Sequence, residues 1–280
     1  IPEHLSEKAN FIIVENSLIA LQQTAIAYRK QFDFPFVGIT GSNGKTIVKE
    51  WLNFLLSAKH LIVRNPKSYN SQVGVPLSIL GIEGNYDLGI FEAGISLPNE
   101  MSNLEHIIQP KYGILTNIGS AHDEGFPNRE AKIKEKIKLF ENCSDIFMEK
   151  NAEIETLLSE NSQKHTWSFS DESANLFVSK KNTKDTTELT FKNELNTFTV
   201  IVPFSDENSI ENVITCVNFM LFLGEEIAFI QSRVAELYPI ELRLQAKKGI
   251  NNCLVIDDSY SVDYPSVSYT HLTLPTNREV

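Results

Sequence analysis

The residue types best suited to chemistry in this chain form a short glycine-rich segment that follows an apolar run. The segment reads Gly38-Ile39-Thr40-Gly41-Ser42-Asn43-Gly44-Lys45-Thr46. A strand, a glycine-rich loop and a helix in that order make a cradle for phosphate, because the N–H groups of the loop and of the helix start point at the anion. Lys45 would then reach the terminal phosphates, and the Thr46 hydroxyl would bind Mg²⁺. The usual phosphate-loop pattern has a glycine where Ile39 stands, and the alternative interpretation is a tight turn that happens to hold a lysine.

An acid and a histidine stand at or just beyond the ends of two predicted strands. Glu92 follows the apolar run from Leu88 to Phe91, and His122 comes shortly after the run from Tyr112 to Leu115. Mg²⁺ is held by few protein oxygens together with substrate phosphates, so a carboxylate opposite a phosphate loop is a natural ligand. The histidine is a second candidate ligand at the same edge of the sheet. The alternatives are a solvated acid at a strand end and a histidine that is structural or merely exposed.

A lysine-rich stretch from Arg129 to Cys143 has helical periodicity, and its apolar stripe recurs at i, i+4 and i+7 from Ile133. At about 100° per residue, Lys136 borders that stripe, whereas Lys134 and Lys138 point well away from it. A partly buried lysine has a lowered pKa and can react as a neutral amine. Such a lysine can take up CO₂ as a carbamate and become a carboxylate-like metal ligand. The alternative is that the lysine run is only a solvated face.

These candidates need a scaffold that brings strand ends together. Short apolar strands alternate with helical patterns, which predicts an α/β fold with a mainly parallel sheet and helices on both faces. Ligands of such sheets sit beyond the carboxyl ends of the strands. Four short strands between Trp167 and Val202, separated by polar breaks, predict an antiparallel β meander added to the sheet. Asn212, near a helix start, and Asp258, after a closing strand pair, are weaker candidates for contacts to a nucleoside.

The composition excludes several classes of protein. The chain has 280 residues with 42% hydrophobic residues, enough for a sizeable core, and a formal charge of −11. That charge argues against nonspecific binding to nucleic acid, which needs a basic face. No apolar run reaches membrane-spanning length. The scattered cysteines, Cys143, Cys216 and Cys253, have no metal-ligand spacing and predict free thiols in the cytoplasm.

Taken together, the motifs resemble those of the Mur ligase family, the ATP-dependent amide-forming enzymes of peptidoglycan synthesis. The resemblance runs from about Phe36 to Pro265. It includes the phosphate loop and the segments Tyr69-Asn70-Ser71-Gln72-Val73-Gly74-Val75-Pro76, Glu92-Ala93-Gly94, Asn117-Ile118-Gly119-Ser120-Ala121-His122, Glu211-Asn212 and Asp258-Ser259-Tyr260. Several ordered motifs within one domain are far more specific than any one of them alone.

The resemblance implies a role for each candidate. Lys45 and the loop residues Gly41, Ser42, Asn43, Gly44 and Thr46 would bind the phosphates of ATP. Thr46 and Glu92 would hold one Mg²⁺, and His122 with carbamylated Lys136 would hold or position a second. Asn212 would contact the adenine and Asp258 the ribose, while Asn70 and Ser71 would contact the substrate. One departure is Glu211, which stands where family members often have histidine.

The resemblance also implies substrates and partners. Within the family the chain is most similar to members that add D-alanyl-D-alanine to UDP-N-acetylmuramoyl-tripeptide through an acyl phosphate. The sequences of two loops are similar to those of family members that are fused to an alanine racemase. This resemblance implies that the intact protein could carry such a domain. Residues 1–33 are expected to be the remnant of an N-terminal domain and a linker helix, and residues 34–267 the ATP-binding domain. Residues 268–280 fit no pattern and are expected to be foreign, with the C-terminal ligase domain missing.

Two other functions stay open at this point. A folylpolyglutamate-synthase-like ligase shares the loop and the overall chemistry, although Asp258-Ser259-Tyr260 and Gly74-Val75-Pro76 weigh against it. A nucleotide-binding fragment without ligase activity is the alternative from a different class. ATP turnover with UDP-muramoyl-peptides or with folates would separate the first pair. Binding of ATP without amide product would favour the second alternative.

Overall fold

A computed structural model of the chain describes residues 11–118, 126–183, 186–239, 245–248 and 253–257, and of 245–248 and 254–257 only the backbone. In this part of the chain the predicted α/β fold is confirmed. No helix among the described residues is long and apolar enough to cross a membrane.

Nine strands form one sheet in the order β2-β3-β1-β4-β5-β6-β7-β8-β9, and the pairs from β2 through β7 are parallel. These strands are β1 (Phe36–Thr40), β2 (Ile62–Arg64), β3 (Leu88–Glu92), β4 (Tyr112–Leu115), β5 (Asp145–Glu149), β6 (Gln163–Ser168), β7 (Leu176–Asn182), β8 (Thr187–Lys192) and β9 (Thr197–Val202). A separate antiparallel pair joins β10 (Gln245–Lys248) to β11 (Leu254–Asp257), as the sequence predicts for this region.

Helices cover both faces of the sheet. They are α1 (Ser17–Arg29), α2 (Lys45–Leu56), α3 (Gly74–Leu80), α4 (Met101–Ile108), α5 (Arg129–Ile137), α6 (Ala152–Leu157), α7 (Glu207–Phe222) and α8 (Ile227–Ala235), with a 3₁₀ turn at Lys138–Phe140. Two apolar clusters result, one under α2, α7 and α8 and the other under α1, α3, α4 and α5. Because both faces are covered, β1, β3 and β4 are buried along their whole length, which explains their continuous apolar runs.

The antiparallel addition is smaller than the sequence suggests. Trp167 lies in β6, which pairs in parallel with both β5 and β7. Within the described nine-stranded sheet, only the pairs β7–β8 and β8–β9 are antiparallel. A crossover through α6 joins β5 to β6, and such a crossover returns the chain in the parallel direction. The short polar segment between the two runs does not reveal that crossover in the sequence.

The first helix is part of the packed body. Ala25 of α1 is fully buried in the cluster with α3 and α4. The Arg29 guanidinium donates to the Ile108 carbonyl at 2.9 Å from Nε and lies 3.6 Å over the Phe36 ring. The apolar residues just before this helix are exposed, with Ile12 and Ile13 almost fully open to solvent.

Candidate functional site

Three strand ends meet at one edge of the sheet, as the sequence predicts. In the register of the parallel strands, Ile39 of β1 lies between Glu92 of β3 and Ile114 of β4. The glycine-rich loop leaves β1 at this edge and leads into α2, which begins at Lys45. The loop and Glu92 are therefore neighbours because of strand order, although about fifty residues separate them in the chain.

The end of β4 fastens the glycine-rich loop. The Ser42 N–H donates to the Asn117 carbonyl at 2.8 Å, and the Asn43 N–H donates to Asn117 Oδ1 at 2.9 Å. The Thr116 hydroxyl in turn donates to the Asn43 carbonyl at 2.5 Å. These bonds hold the first half of the loop in place. The N–H groups at the start of α2, which have no intrahelical acceptor, remain as the natural anion binders of the site.

Two glycines of the loop are required by its shape. Gly41 and Gly44 have φ of +148° and +83°, a region that residues with side chains rarely adopt. A Cβ on Gly41 would lie 2.0 Å from Thr116 Oγ1, and one on Gly44 would lie 2.3 Å from Asn212 Oδ1. The second contact also places Asn212 of α7, which is buried, directly against the loop. The predicted nucleoside contact therefore adjoins the predicted phosphate cradle.

Two lysines from different helices converge on this loop. Lys45 Nζ donates to the Gly41 and Ser42 carbonyls at 2.9 and 3.0 Å, and Lys136 Nζ donates to the same Gly41 carbonyl at 3.1 Å. Both side chains line a cleft of about 320 Å³, which Asn70 and Ser71 also line. One predicted phosphate contact, Lys45, one predicted metal ligand, Lys136, and both predicted substrate contacts thus line the same cleft.

The lysine-rich helix separates its lysines as the sequence predicts. Lys136 is 1% exposed, whereas the side chain of Lys134 is 55% exposed and that of Lys138 is 36% exposed and paired with Glu135. Burial, and then the nearby charge of Lys45, lower the pKa of Lys136 to about 7. Lys132 is as buried as Lys136, which the sequence does not predict. The angular position of a residue on a helix does not show which other elements cover that face.

Glu92 is buried, which is against the alternative of a solvated acid at a strand end. Its carboxylate is fully shielded, with Oε1 accepting from Asn70 Nδ2 at 3.2 Å and Oε2 without a hydrogen-bond partner among the described residues. A buried carboxylate oxygen without a partner is costly unless it binds something. Beside a phosphate loop, a hard cation such as Mg²⁺ fits that oxygen.

The remaining metal candidates are consistent with a sparse protein donor set. Thr46, at the start of α2, has its hydroxyl 3.1 Å from the Ser68 hydroxyl. No group of three or more His, Cys, Asp or Glu side chains able to hold a metal occurs in the described part of the chain. Mg²⁺ sites that rely on substrate phosphates need only one or two protein oxygens.

Two predicted site residues, His122 and Asp258, lie outside the described residues. Two further polar residues near the site, Lys49 and Asn65, are fully buried. Neither is predicted from the sequence. Lys49 follows Lys45 by one helical turn, which is the signal that could have revealed it. Asn65 stands in a polar loop where nothing in the sequence distinguishes it from its neighbours.

Comparisons with known proteins agree on a family. Residues 39–220 match the Mur ligase middle domain. A curated relative from Borreliella burgdorferi, UDP-N-acetylmuramoyl-tripeptide--D-alanyl-D-alanine ligase, is 31% identical over 262 residues, or 90% of this chain and 54% of the relative. The chain therefore spans about half the length of the curated relatives it matches.

Solved structures show the same fold. A MurF crystal structure from Acinetobacter baumannii matches with a TM-score of 0.82 at 23% identity, over 92% of this chain and 58% of that one. The MurF ligase of Thermotoga maritima in complex with ADP matches with a TM-score of 0.81 at 24% identity, over 92% and 61%. Folylpolyglutamate synthase of Mycobacterium tuberculosis is more distant, with a TM-score of 0.71 at 12% identity, over 92% and 69%.

Proposed function

The chain belongs to the Mur ligase family, and we propose that it is the ATP-binding part of a ligase that adds D-alanyl-D-alanine to UDP-N-acetylmuramoyl-tripeptide. The 31% identical relative carries that activity in its name. The observation that supports the proposal most directly is the shared cleft, in which Lys45, Lys136, Asn70 and Ser71 face one cavity at the carboxyl edge of the sheet.

The proposed reaction has two steps. ATP supplies a phosphoryl group to the tripeptide carboxylate, which gives an acyl phosphate and ADP. The amine of D-alanyl-D-alanine then displaces phosphate and forms the amide bond. Lys45 and the N–H groups at the start of α2 would stabilise the charge on the transferring phosphoryl group, because they supply a cation and hydrogen-bond donors where that charge develops.

Magnesium would shield the phosphate charges, and we assign its protein ligands to Thr46 and Glu92. The buried, unpartnered Oε2 of Glu92 supports the assignment. A second ion would be held by His122 and by Lys136 as a carbamate. Burial supports this chemistry because the neutral amine of a lysine with a pKa of about 7 adds to CO₂ and releases one proton. As an ammonium ion, Lys136 would repel the metal instead.

For the nucleotide, we assign the phosphates to residues 41–46, the adenine to Asn212 and the ribose to Asp258. The contact between Asn212 and Gly44 supports the adenine assignment, because it places the amide beside the cradle. For the second substrate, Asn70 and Ser71 are the proposed contacts, since both line the cleft that Lys45 also lines. The ADP complex of the Thermotoga MurF ligase is consistent with this use of the fold.

The decisive experiment measures ADP formation by the full-length protein with ATP, UDP-N-acetylmuramoyl-tripeptide and D-alanyl-D-alanine. We expect ADP and the joined product in equal amounts, and none when either peptide is omitted. Turnover with a folate and glutamate instead would support the folylpolyglutamate-synthase alternative. ATP binding without any amide product would support the fragment without ligase activity.

Replacing Glu92 by Gln tests the metal assignment separately. Because Oε2 has no hydrogen-bond partner to lose, Glu92→Gln should leave the free energy of unfolding unchanged or slightly higher. The Mg²⁺ concentration that gives half-maximal activity should rise about tenfold or more. An unfolded variant, or an unchanged Mg²⁺ dependence, would return Glu92 to a structural role.

The proposal also covers the cellular location and the domain organisation of the protein. We infer a cytoplasmic enzyme, since Cys143, Cys216 and Cys253 are free thiols. Four points of the domain organisation stay predictions: the domain limits at residues 33 and 267, the foreign tail, the further ligase domain and a fused alanine racemase. The sequence of the intact reading frame would test all of them.

A further inference from the structure

Lys49 is a buried charged residue that the proposed reaction does not use. It lies on α2 one turn after Lys45, on the same face of the helix, and its side chain is fully shielded from solvent. Burying an ammonium group is costly unless each of its donors finds an acceptor. The contacts of Lys49 therefore indicate what the residue does.

The Lys49 ammonium group contacts the loop that follows β2. Its Nζ donates to the Asn65 carbonyl at 2.8 Å and to the Lys67 carbonyl, and it lies 3.3 Å from Glu50 Oε1. Lys67 has a φ of +49°, a left-handed conformation that is uncommon for a residue with a side chain. The bond from Lys49 thus holds a carbonyl in a backbone conformation that the chain would not favour by itself.

This segment, residues 65–70, connects the two proposed metal ligands, and we name it the bridging loop. At one end, Asn65 Nδ2 donates to the Glu92 carbonyl at 3.0 Å, and Asn65 Oδ1 accepts from the Glu92 N–H at 3.0 Å. In its middle, the Ser68 hydroxyl meets the Thr46 hydroxyl. At the other end, Asn70 Nδ2 donates to Glu92 Oε1 at 3.2 Å.

The electrostatics agree with this geometry. Burial lowers the pKa of Lys49, and the carboxylates of Glu92 and Glu50 oppose that shift. The Glu92 carboxylate is therefore near enough to interact with the ammonium group. Lys49 reaches Glu92 through the backbone of the bridging loop, by way of Asn65.

We propose that Lys49 is a positioning residue, which clamps the bridging loop to α2 and so fixes the spacing of Thr46, Glu92 and Asn70. The clamp rests on the proposed function, because it is this spacing that the metal and the substrate would use. Loss of the ammonium group frees two carbonyls of the bridging loop and leaves the phosphate cradle and Lys45 intact. Binding of the nucleotide alone should then persist, while the benefit of Mg²⁺ is lost.

The test replaces Lys49 by Met, which fills a similar volume without a donor. Hydrogen exchange measured by mass spectrometry, without nucleotide, should quicken in peptides that cover residues 65–72 and stay unchanged in peptides from β8 and β9. Calorimetric titration with ADP should give the same Kd as the unchanged protein in EDTA. The tightening of that Kd by Mg²⁺ should fall about tenfold.

Two control variants are measured in the same way as Lys49→Met. Glu50→Gln removes the 3.3 Å ion pair with Lys49 and the 2.9 Å ion pair with Arg64, both on a partly exposed side chain, and should leave both readings near those of the unchanged protein. Lys134→Met removes an exposed lysine and should change neither. Faster exchange across the whole domain together with a weaker Kd in EDTA would show that Lys49 is merely structural and would overturn the proposal.

If Lys49→Met does not fold, Lys49→Gln decides, because it keeps a polar end but is too short to reach both carbonyls. A folded Lys49→Gln variant with unchanged exchange at residues 65–72 and an unchanged Mg²⁺ effect would overturn the proposal. Failure of the proposed function has a different signature, since the unchanged full-length protein would then form no amide from UDP-N-acetylmuramoyl-tripeptide and D-alanyl-D-alanine. The exchange result in the absence of nucleotide would still report on the clamp.

Discussion

The carboxyl edge of β1, β3 and β4 differs from the antiparallel end of the sheet in the burial of its charged side chains. At the edge, the charged side chains of Lys49, Glu92 and Lys136 are buried. In β8 the inward residues Leu189 and Phe191 are apolar and fully buried, whereas the charged residues Glu188 and Lys192 on the opposite face are exposed. The edge therefore contains buried charged side chains, whereas β8 and β9, as far as the structure describes them, contain none.

This contrast indicates where activity and stability can be separated. A substitution at the edge should remove function while the fold persists, because the rest of the sheet supplies the packing. A substitution in the antiparallel end should lower stability while the site keeps its geometry.

The largest effect is expected for Lys45→Ala. Loss of the cation that would face the terminal phosphates should lower turnover of the full-length protein about 1,000-fold. The free energy of unfolding should change little, because Lys45 is only partly buried and donates to carbonyls of the loop rather than packing in the core. Near-normal turnover would refute the phosphate-loop assignment. A comparable loss of stability would show that edge and fold cannot be separated.

The converse effect is expected for Phe191→Ala in β8. Phe191 is fully buried and stacks on Phe198 with ring centroids 5.2 Å apart. Removing it should lower the free energy of unfolding by about 3 kcal/mol, measured by urea titration. At low temperature, where the variant is folded, its Kd for ADP should equal that of the unchanged protein. A weaker Kd would mean that the two regions are coupled.

Lys136→Ala should lower activity of the full-length protein about 100-fold, because a proposed metal ligand is lost. An added short carboxylic acid should restore part of the activity by filling the gap. Lys134→Ala is the matched control and should be almost silent, since that side chain is exposed. Equal losses from both substitutions would show that the lysine run is only a solvated face. In the unchanged protein, ¹³C NMR with labelled bicarbonate should detect the carbamate.

The smallest effect concerns Glu211, beside Asn212. Burial, followed by repulsion from Glu149 and Glu207, raises the pKa of Glu211 from 4.5 to about 7. Between these values the folded state binds the proton more tightly than the unfolded state, so stability falls as pH rises from about 4.5 to 7.

Glu211→Gln should therefore stabilise the protein by about 1 kcal/mol at pH 8, after allowance for solvent screening, and very little at pH 5. Urea titrations at the two pH values check this. Glu188→Gln, which changes an exposed acid of β8, is the control and should give no difference between them. A stabilisation that is the same at both pH values would exclude titration of Glu211 as its cause.

Much of the candidate site follows from local sequence patterns. The glycine-rich loop, the strand that ends at Glu92 and the stripe of the lysine helix are each set by neighbours within a few residues. Helical spacing alone separated Lys136 from Lys134, and the side-chain exposures confirm that difference. Strand alternation with helices predicted the parallel sheet, and strand ends of a parallel sheet meet at one edge by geometry.

The sequence by itself determined the elements, the phosphate loop and the family resemblance, because periodicity and motif spacing are properties of short segments. Only the tertiary structure decided which polar groups are buried. Glu92, Lys49 and Asn65 form one network from three segments, and burial depends on what packs over a residue from elsewhere in the chain. The parallel pairing of β6 was decided in the same way, since strand direction is set by the path of the crossover and not by the strand's own residues.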